Sequence, residues 1–231
     1  MPAPRVDIIS IGTLSRNLQW NETAALRTPH ATTSLIRAGS RKILVDPGLP
    51  SAALGARLFE RTGLRPEAID IVFLTNFRPA HRGGLELFSN AKVLIHEIEQ
   101  RTVSDHLRRL LQSASDEGQK ADAHASAIRS ELALLESLSP ADDKIADGVD
   151  LFPLPGYTPG TCGLLVAAPV TTTLIAGDAV PTLDHFLAMQ VLPDSIDIEQ
   201  AQESMREVYE IADLVVPGHD NVFVNPRTQG A

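Results

Sequence analysis

The amino-acid sequence predicts a mixed α/β protein, built as one domain over residues 1–231 with a helical insertion at residues 97–139. Three observations support this fold class. Short apolar segments with the length and composition of strands alternate with amphipathic segments of helical spacing. The region from 97 to 139 carries helical periodicity alone. No linker, repeat or low-complexity run divides the chain.

The predicted strands are short apolar segments bounded by Gly, Pro, Asn or Asp. In chain order they cover residues 6–12, 32–39, 41–48, 68–75, 91–96, 149–154, 162–169, 172–178 and 212–220. Gly39 and Ser40 favour a hairpin turn between the second and third of them. A helix follows the third strand and is expected to end at Gly63, and the last helix is expected to begin near Asp197, whose side chain can cap it.

The insertion predicts two amphipathic helices, separated by a break at residues 116–120. Their apolar faces comprise Val103, Leu107, Leu110 and Ala114 in the first helix and Ile128, Leu132, Leu135 and Leu138 in the second. Amphipathic helices commonly cover a core, so packing against a sheet is one interpretation. The other is a lid over a pocket or the contact surface of a homodimer.

Charge and composition exclude several classes of protein. The net charge of −9 argues against a general nucleic-acid binder, which needs a basic surface to displace counterions from phosphate. A single cysteine rules out an intrachain disulfide. No apolar run is long enough to span a bilayer, and the N-terminus lacks the pattern of a signal peptide. The expectation is a cytoplasmic protein that binds a small-molecule ligand or substrate and neither nucleic acid nor membrane.

Five short segments share one design, in which an apolar strand ends in a turn containing Gly or Pro with a polar residue at its tip. They are ILVDPG (43–48), FLTNFRPAHRGG (73–84), PLPGYTPGTCGLL (153–165), LIAGDA (174–179) and VVPGHD (215–220), the third having an unusual tip. Rigid strands fix the position of side chains at their ends, and functional residues are often found there.

In this order, the five segments resemble the signature of the metallo-β-lactamase-fold hydrolases: an Asp-containing strand end, T-H-x-H-x-D-H-x-G-G, P-G-H-T-P-G-H, G-D and P-G-H. The resemblance covers nearly the whole chain, with the helical insertion as an addition. It implies an αββα sandwich, in which two mixed β-sheets pack face to face with helices outside. It also implies descent from a metal-assisted hydrolase of an ester, thioester, lactone or amide, in which seven side chains typically hold two metal ions, usually zinc.

Four of the ligand positions that the resemblance implies carry other residues here. Asn76 and Arg78 stand at the first two histidine positions, Ala80 at the aspartate position and Tyr157 at the ligand histidine of the third segment. A further histidine of that segment, not usually a ligand, is Thr161. The resemblance therefore implies that the usual dinuclear site is lost.

The remaining positions are retained as His81, Asp178 and His219, and the bracing aspartate of the first segment is retained as Asp46. Two imidazoles and one carboxylate can hold one zinc or iron(II) ion. The first hypothesis is thus a hydrolase with a single metal ion at these three residues, in which Arg78 or Tyr157 stabilises an oxyanion. Each of the three could equally have a structural role in its own turn.

The second hypothesis is a metal-free pseudoenzyme that binds a small molecule or a partner protein. Arg78 is permanently charged and could pair with Asp178, which would balance the site without a metal. The same guanidinium, together with His81 and His219, could hold an anionic ligand. An ordinary surface salt bridge is the alternative for Arg78.

Other residues give weaker signals. Cys162 could be a nucleophile, although a lone cysteine at the start of an apolar strand is more often a small core residue. Tyr157 could instead fill the space of the missing histidine and metal. Asp184 and His185 could supply a replacement ligand but are expected to be a solvated pair in a loop. His30 could reach the pocket from an N-terminal loop.

Overall fold

The computed structural model of the protein describes residues 2–114 and 118–229, and its strands follow the predicted order. Twelve strands occur in these ranges: β1 (Arg5–Ser10), β2 (Thr33–Ala38), β3 (Arg41–Val45), β4 (Ile71–Leu74), β5 (Lys92–Ile95), β6 (Ser139–Pro140), β7 (Lys144–Ala146), β8 (Val149–Pro153), β9 (Cys162–Ala168), β10 (Thr171–Gly177), β11 (Leu214–Pro217) and β12 (Phe223–Val224). The helices are α1 (Ser51–Thr62), α2 (Glu97–Ala114), α3 (Gly118–Ser137), α4 (Leu183–Ala188) and α5 (Ile198–Ile211). None of the described helices is long and apolar enough to cross a bilayer.

The strands form two mixed sheets of six, in the orders β1-β2-β3-β4-β5-β6 and β12-β11-β10-β9-β8-β7. In the first sheet β3, β4, β5 and β6 run parallel, while β1 to β3 are antiparallel. In the second sheet only β10 and β11 are paired in parallel among the described strands. The expected pair of mixed sheets is confirmed.

Three apolar clusters show how the layers pack. One lies between the sheets and joins residues of both, such as Phe73, Leu164 and Val216. A second packs α1 and the insertion helices against the first sheet, and a third packs α4 and α5 against the second sheet. The layers are therefore ordered helix, sheet, sheet, helix. Each sheet has apolar side chains on both faces, so both faces must be covered by another layer.

The insertion contains two helices, as expected, and they cover the first sheet. Leu135 and Leu138 belong to the buried cluster there, and Val103 and Leu107 pack on it. Leu110 is an exception to the predicted apolar face, since it is 37% exposed. The side chain of Ala114 and residues 116–117 of the predicted break lie outside what the structure describes. Helix α3 begins at Gly118, within the predicted break and therefore earlier than expected.

Helix ends agree closely with the signals in the sequence. Gly63 ends α1 with a φ of +68°, a left-handed conformation that glycine adopts without strain. Asp197 caps α5 by accepting a hydrogen bond from the backbone N–H of Gln200. Ile198, at the first position of this helix, is 49% exposed and contributes little to its buried face.

Candidate metal centre

His81, Asp178 and His219 lie at the carboxyl ends of strands from both sheets. His81 closes a short 3-10 turn after β4, Asp178 follows β10 directly, and His219 comes two residues after β11. The ends of β4 and of the parallel pair β10 and β11 meet at one edge of the sandwich. The three side chains that the sequence suggested as metal ligands are therefore brought together.

The two imidazoles flank the carboxylate. Nε2 of His81 lies 2.8 Å from Oδ2 of Asp178, and Nε2 of His219 lies 2.9 Å from Oδ1. One potential ligand atom from each residue can be chosen so that all three lie within 4.8 Å of one another. All three side chains are buried, so any charge here has little water to screen it.

Asp46 and Thr75 hold the ring of His81. Nδ1 of His81 lies 2.9 Å from Oδ2 of Asp46 and 3.1 Å from the hydroxyl of Thr75. Thr75 also donates its backbone N–H and its hydroxyl to the two carboxylate oxygens of Asp46, at 2.9 and 2.7 Å. Asp46 thus has the bracing position that the resemblance implied, and it orients Nε2 of His81 toward Asp178.

Backbone carbonyls hold the ring of His219. Its Nδ1 lies 3.1 Å from the carbonyl oxygen of Thr13 and 3.0 Å from that of His30. Donation from Nδ1 to these acceptors leaves Nε2 to face Asp178. His30 therefore reaches the centre through its backbone, while its imidazole turns toward the carbonyl of Thr28 at 3.4 Å.

Neighbouring charges in this centre shift the pKa values of His81 and Asp178. Burial lowers the pKa of His81, but the negative charges of Asp178 and Asp46 outweigh it and raise that pKa to about 10. Burial favours the neutral form of Asp178, but the imidazoles of His81 and His219 hold its pKa well below the usual range. Asp178 is accordingly a carboxylate.

The arrangement suits a bound cation. Oδ1 of Asp178 is buried, and Nε2 of His219 lies 2.9 Å from it. Both imidazoles are fixed through Nδ1, by a carboxylate in one case and by carbonyls in the other. Ligand histidines in metal sites are usually held in this way, with Nε2 free for the metal.

Asn76, and not Arg78, contacts the carboxylate. The amide of Asn76 donates to Oδ2 of Asp178 at 3.0 Å, and its oxygen accepts the backbone N–H of Arg78 at 2.9 Å. The suggested ion pair of Arg78 with Asp178 does not occur among the described residues. The guanidinium lies 5.1 Å from the ring centroid of Tyr157 and 4.0 Å from Asp194, because the aromatic face attracts it away from a carboxylate that Asn76 already contacts.

A cavity of about 380 Å³ opens in front of the centre. Arg78 and Tyr157 line it together with Asp178 and His219. Burial, with the negative charges of Asp178 and Asp194, raises the pKa of Tyr157, so its hydroxyl remains protonated and can donate a hydrogen bond.

The expectation of a solvated loop pair at Asp184 and His185 is wrong. Both belong to α4, and His185 is 2% exposed, with Nδ1 2.8 Å from the hydroxyl of Thr182 at the start of that helix. His185 lines the cavity, whereas Asp184 faces outward and accepts a hydrogen bond from Trp20. Only the packing of α4 against the second sheet turns one of these neighbours inward.

Cys162 does not reach the centre. It is fully buried in the cluster between the sheets, and burial raises the pKa of its thiol. The suggested nucleophile is therefore contradicted, and the interpretation as a small core residue is correct.

Glu99 is a residue that the sequence did not single out. It lies in the first turn of α2, is 1% exposed, and accepts hydrogen bonds from the backbone N–H of Phe77 at 3.0 Å and from the hydroxyl of Thr158 at 2.6 Å. These partners belong to the two loops that carry Asn76, Arg78 and Tyr157. The insertion is thus hydrogen-bonded to both loops. The sequence carries no signal for this role, because Glu99 resembles any other glutamate in an amphipathic helix.

Comparison with known proteins identifies the family. A family model described as the metallo-beta-lactamase superfamily matches residues 27–219, whereas a search of curated proteins finds no match. Among solved structures, AidC, a dizinc quorum-quenching lactonase in complex with a product, is 17% identical with a TM-score of 0.65 over 82% of this chain and 72% of its own. A Thermotoga maritima protein with a provisional metallo-beta-lactamase assignment is 19% identical, with a TM-score of 0.67 over 96% and 100% of the two chains.

A third structure, a quorum-quenching N-acyl homoserine lactone lactonase, is 19% identical with a TM-score of 0.60 over 91% of this chain and 88% of its own. At such low identity these likenesses establish the fold and leave the activity open. The match of the family model covers most of the chain, including all three residues of the candidate centre. The chain belongs to the metallo-β-lactamase superfamily.

Proposed function

We propose that the protein is a hydrolase of an ester, thioester, lactone or amide bond that uses at most one metal ion, zinc or iron(II), held by His81, Asp178 and His219. The observation that carries this proposal is the pair of imidazoles fixed through Nδ1, whose Nε2 atoms face the two oxygens of the buried Asp178 carboxylate. The resemblance supports one ion and not two, because other residues stand at the remaining ligand positions.

A metal ion bound here would lower the pKa of a water ligand and polarise a substrate carbonyl. The protein's own groups would position the substrate. Arg78 and Tyr157 face the same cavity and carry donors that could bind an oxyanion as it develops. Asn76 keeps the Asp178 carboxylate oriented through its hydrogen bond to Oδ2.

Metal content tests the proposal directly. Protein purified without a metal-affinity tag is analysed by elemental mass spectrometry, alongside the double variant His81→Ala/His219→Ala and the control His124→Ala. His124 is an exposed histidine on α3, so its loss removes an imidazole without touching the centre. We expect about one zinc or iron ion per chain in the wild type and the control and none in the double variant.

Thermal unfolding provides a second readout. A bound ion stabilises the folded state by mass action, so a chelator should lower the Tm of the wild type and leave the double variant unchanged. Lactones and activated esters are the first substrates to test, since the AidC and N-acyl homoserine lactone lactonase structures are of enzymes named for lactone hydrolysis.

A metal-free binding pocket is the second candidate function. It is favoured by the direct contacts of His81 with Asp178 and Asp46, at 2.8 and 2.9 Å, and by the raised pKa of this imidazole. A protonated His81 would supply positive charge without a metal. Absence of metal from the wild type, even after incubation with excess zinc, would support this candidate and exclude the hydrolase mechanism proposed above.

A further inference from the structure

A second cavity, of about 580 Å³, lies between α2 and the loops beside the candidate centre. We name it the insertion cleft. Its apolar wall consists of Phe77, Val103, Leu107, Pro159 and Ile196. The volume is within the range of about 300–1,000 Å³ that is usual for small-molecule sites. The insertion therefore contributes to a concave surface as well as covering the first sheet.

The insertion cleft adjoins the cavity of the candidate centre. Three loop segments, at residues 77–80, 157–159 and 192–196, contribute to the walls of both. Arg78 lines both cavities, with its guanidinium over the ring of Tyr157. A ligand could therefore have one end at the centre and the other in the cleft.

Glu99 and Arg82, the most buried charged side chains that line the cleft, are already hydrogen-bonded. Both carboxylate oxygens of Glu99 accept hydrogen bonds, one of them from Thr158. Arg82 donates to the carbonyl of Phe77 and to the carboxylate of Glu131. Next to these two residues a polar ligand would lose its hydrogen bonds to water and find few replacements, whereas an apolar chain would lose none. Asp105, His106 and Arg109 also line the cleft, and they are exposed to solvent.

Arg78 is the cation available at the junction. Its side chain is 43% exposed, and its 4.0 Å contact with Asp194 is an exposed ion pair of the kind that contributes little. A carboxylate or a polarised carbonyl at this point would gain a forked donor. The surroundings thus combine an apolar cleft with a positively charged entrance to the candidate centre.

We propose that the insertion cleft binds the unbranched apolar tail of the substrate, so that the substrate class is a medium-chain acyl ester, thioester or lactone and the product a medium-chain carboxylate. The bond that is cleaved rests on the proposed function above. Binding of the tail does not, since no residue of the cleft's apolar wall belongs to the candidate centre. Experiments can therefore reject the tail site without rejecting the proposed hydrolysis, and can reject the hydrolysis without rejecting the tail site.

Calorimetric titration of the full-length protein with decanoate and butyrate tests the tail site. The two acids share a head group and differ only in chain length, so a tail site predicts a Kd at least tenfold lower for decanoate. Thr102→Trp fills the cleft from α2 and should weaken decanoate binding at least tenfold without affecting butyrate. Equal affinity for the two acids, or no binding of decanoate, would overturn the proposal.

Two exposed isoleucines provide a second comparison, which does not depend on correct folding of the Thr102→Trp variant. Ile196 lines the cleft and is 66% exposed, whereas Ile198 lies outside its lining and is 49% exposed. Ile196→Ser should weaken decanoate binding severalfold, and Ile198→Ser should leave it unchanged. Equal effects of the two would place the acid elsewhere on the surface. If the protein holds no metal but binds the acids according to chain length, the proposed hydrolase is rejected and the tail site is retained. If the protein holds a metal but does not bind in this way, the tail site is rejected and the proposed hydrolase is retained.

Discussion

Glu99 offers the sharpest test of how the insertion supports the candidate centre. Its carboxylate bonds the loop after β4 through Phe77 and the loop before β9 through Thr158, and it is almost completely buried. Replacement by alanine removes both acceptors and leaves two donors in a dry environment. The perturbation is local, because α2 keeps all of its backbone hydrogen bonds.

The expected magnitude follows from those two bonds. A hydrogen bond to a charged group contributes about 1.5–3 kcal/mol, and an unsatisfied buried donor adds a desolvation cost. The hydroxyl of Thr158 can turn to Thr161, whose Oγ1 lies 2.7 Å away, so part of the loss is recovered. We therefore expect Glu99→Ala to lower the free energy of unfolding by about 2–4 kcal/mol.

Urea denaturation monitored by circular dichroism measures this change, with two comparison variants. Glu99→Gln keeps one oxygen for Phe77, and its amide can donate to Thr158, so it should cost about 1 kcal/mol. Glu131→Ala removes a carboxylate that is 41% exposed and pairs with Arg82, and it should cost at most about 1 kcal/mol. If Glu99→Ala proved no more destabilising than Glu131→Ala, the two bonds would not support the loops as argued.

Three further predictions concern packing, reactivity and capping. Gly160→Ala should destabilise the protein by about 3 kcal/mol, because its Cβ would lie 2.0 Å from the backbone nitrogen of Glu99. Gly55→Ala should stabilise the protein by about 0.5–1 kcal/mol, because the position is helical and its Cβ would make only an ordinary contact, at 3.7 Å, with the side chain of Leu87. Equal Tm values for the two variants would contradict this reasoning. The thiol of Cys162 should react with a disulfide reagent only after unfolding, since it is fully buried and burial raises its pKa; rapid labelling of the native protein would count against the described core. Asp197→Ala should lower the free energy of unfolding by about 1 kcal/mol through loss of the cap of α5, a value that denaturant titration can resolve from zero.

Much of the fold could be predicted because its signals are local. Strand ends at Asp46, Asp178 and His219 are marked by Gly or Pro after apolar runs, and helix ends at Gly63 and Asp197 are marked by residues that suit those conformations. Such signals depend on backbone conformation and on which faces are apolar, and both are encoded over a few neighbouring residues.

The partners of the polar side chains could not be predicted in the same way. Arg78 was suggested to pair either with Asp178 or in an ordinary surface salt bridge. It lies over Tyr157 and 4.0 Å from Asp194, because Asn76 contacts the Asp178 carboxylate and the aromatic ring lies within reach. His185 was expected to be solvated and is buried, because α4 packs on the second sheet. In both cases the decisive neighbour is distant in sequence.

The sequence by itself predicted nine of the twelve described strands in order, every described α-helix except α4, the family resemblance and three residues that could share a metal ion. Only the tertiary structure decided that His81 and His219 are held through Nδ1 and face opposite oxygens of Asp178, that Glu99 joins the insertion to both loops, and that an apolar cleft adjoins the centre. The physical reason is that strand and helix formation follow local periodicity, whereas charge pairing, burial and cavities depend on which distant segments are packed together.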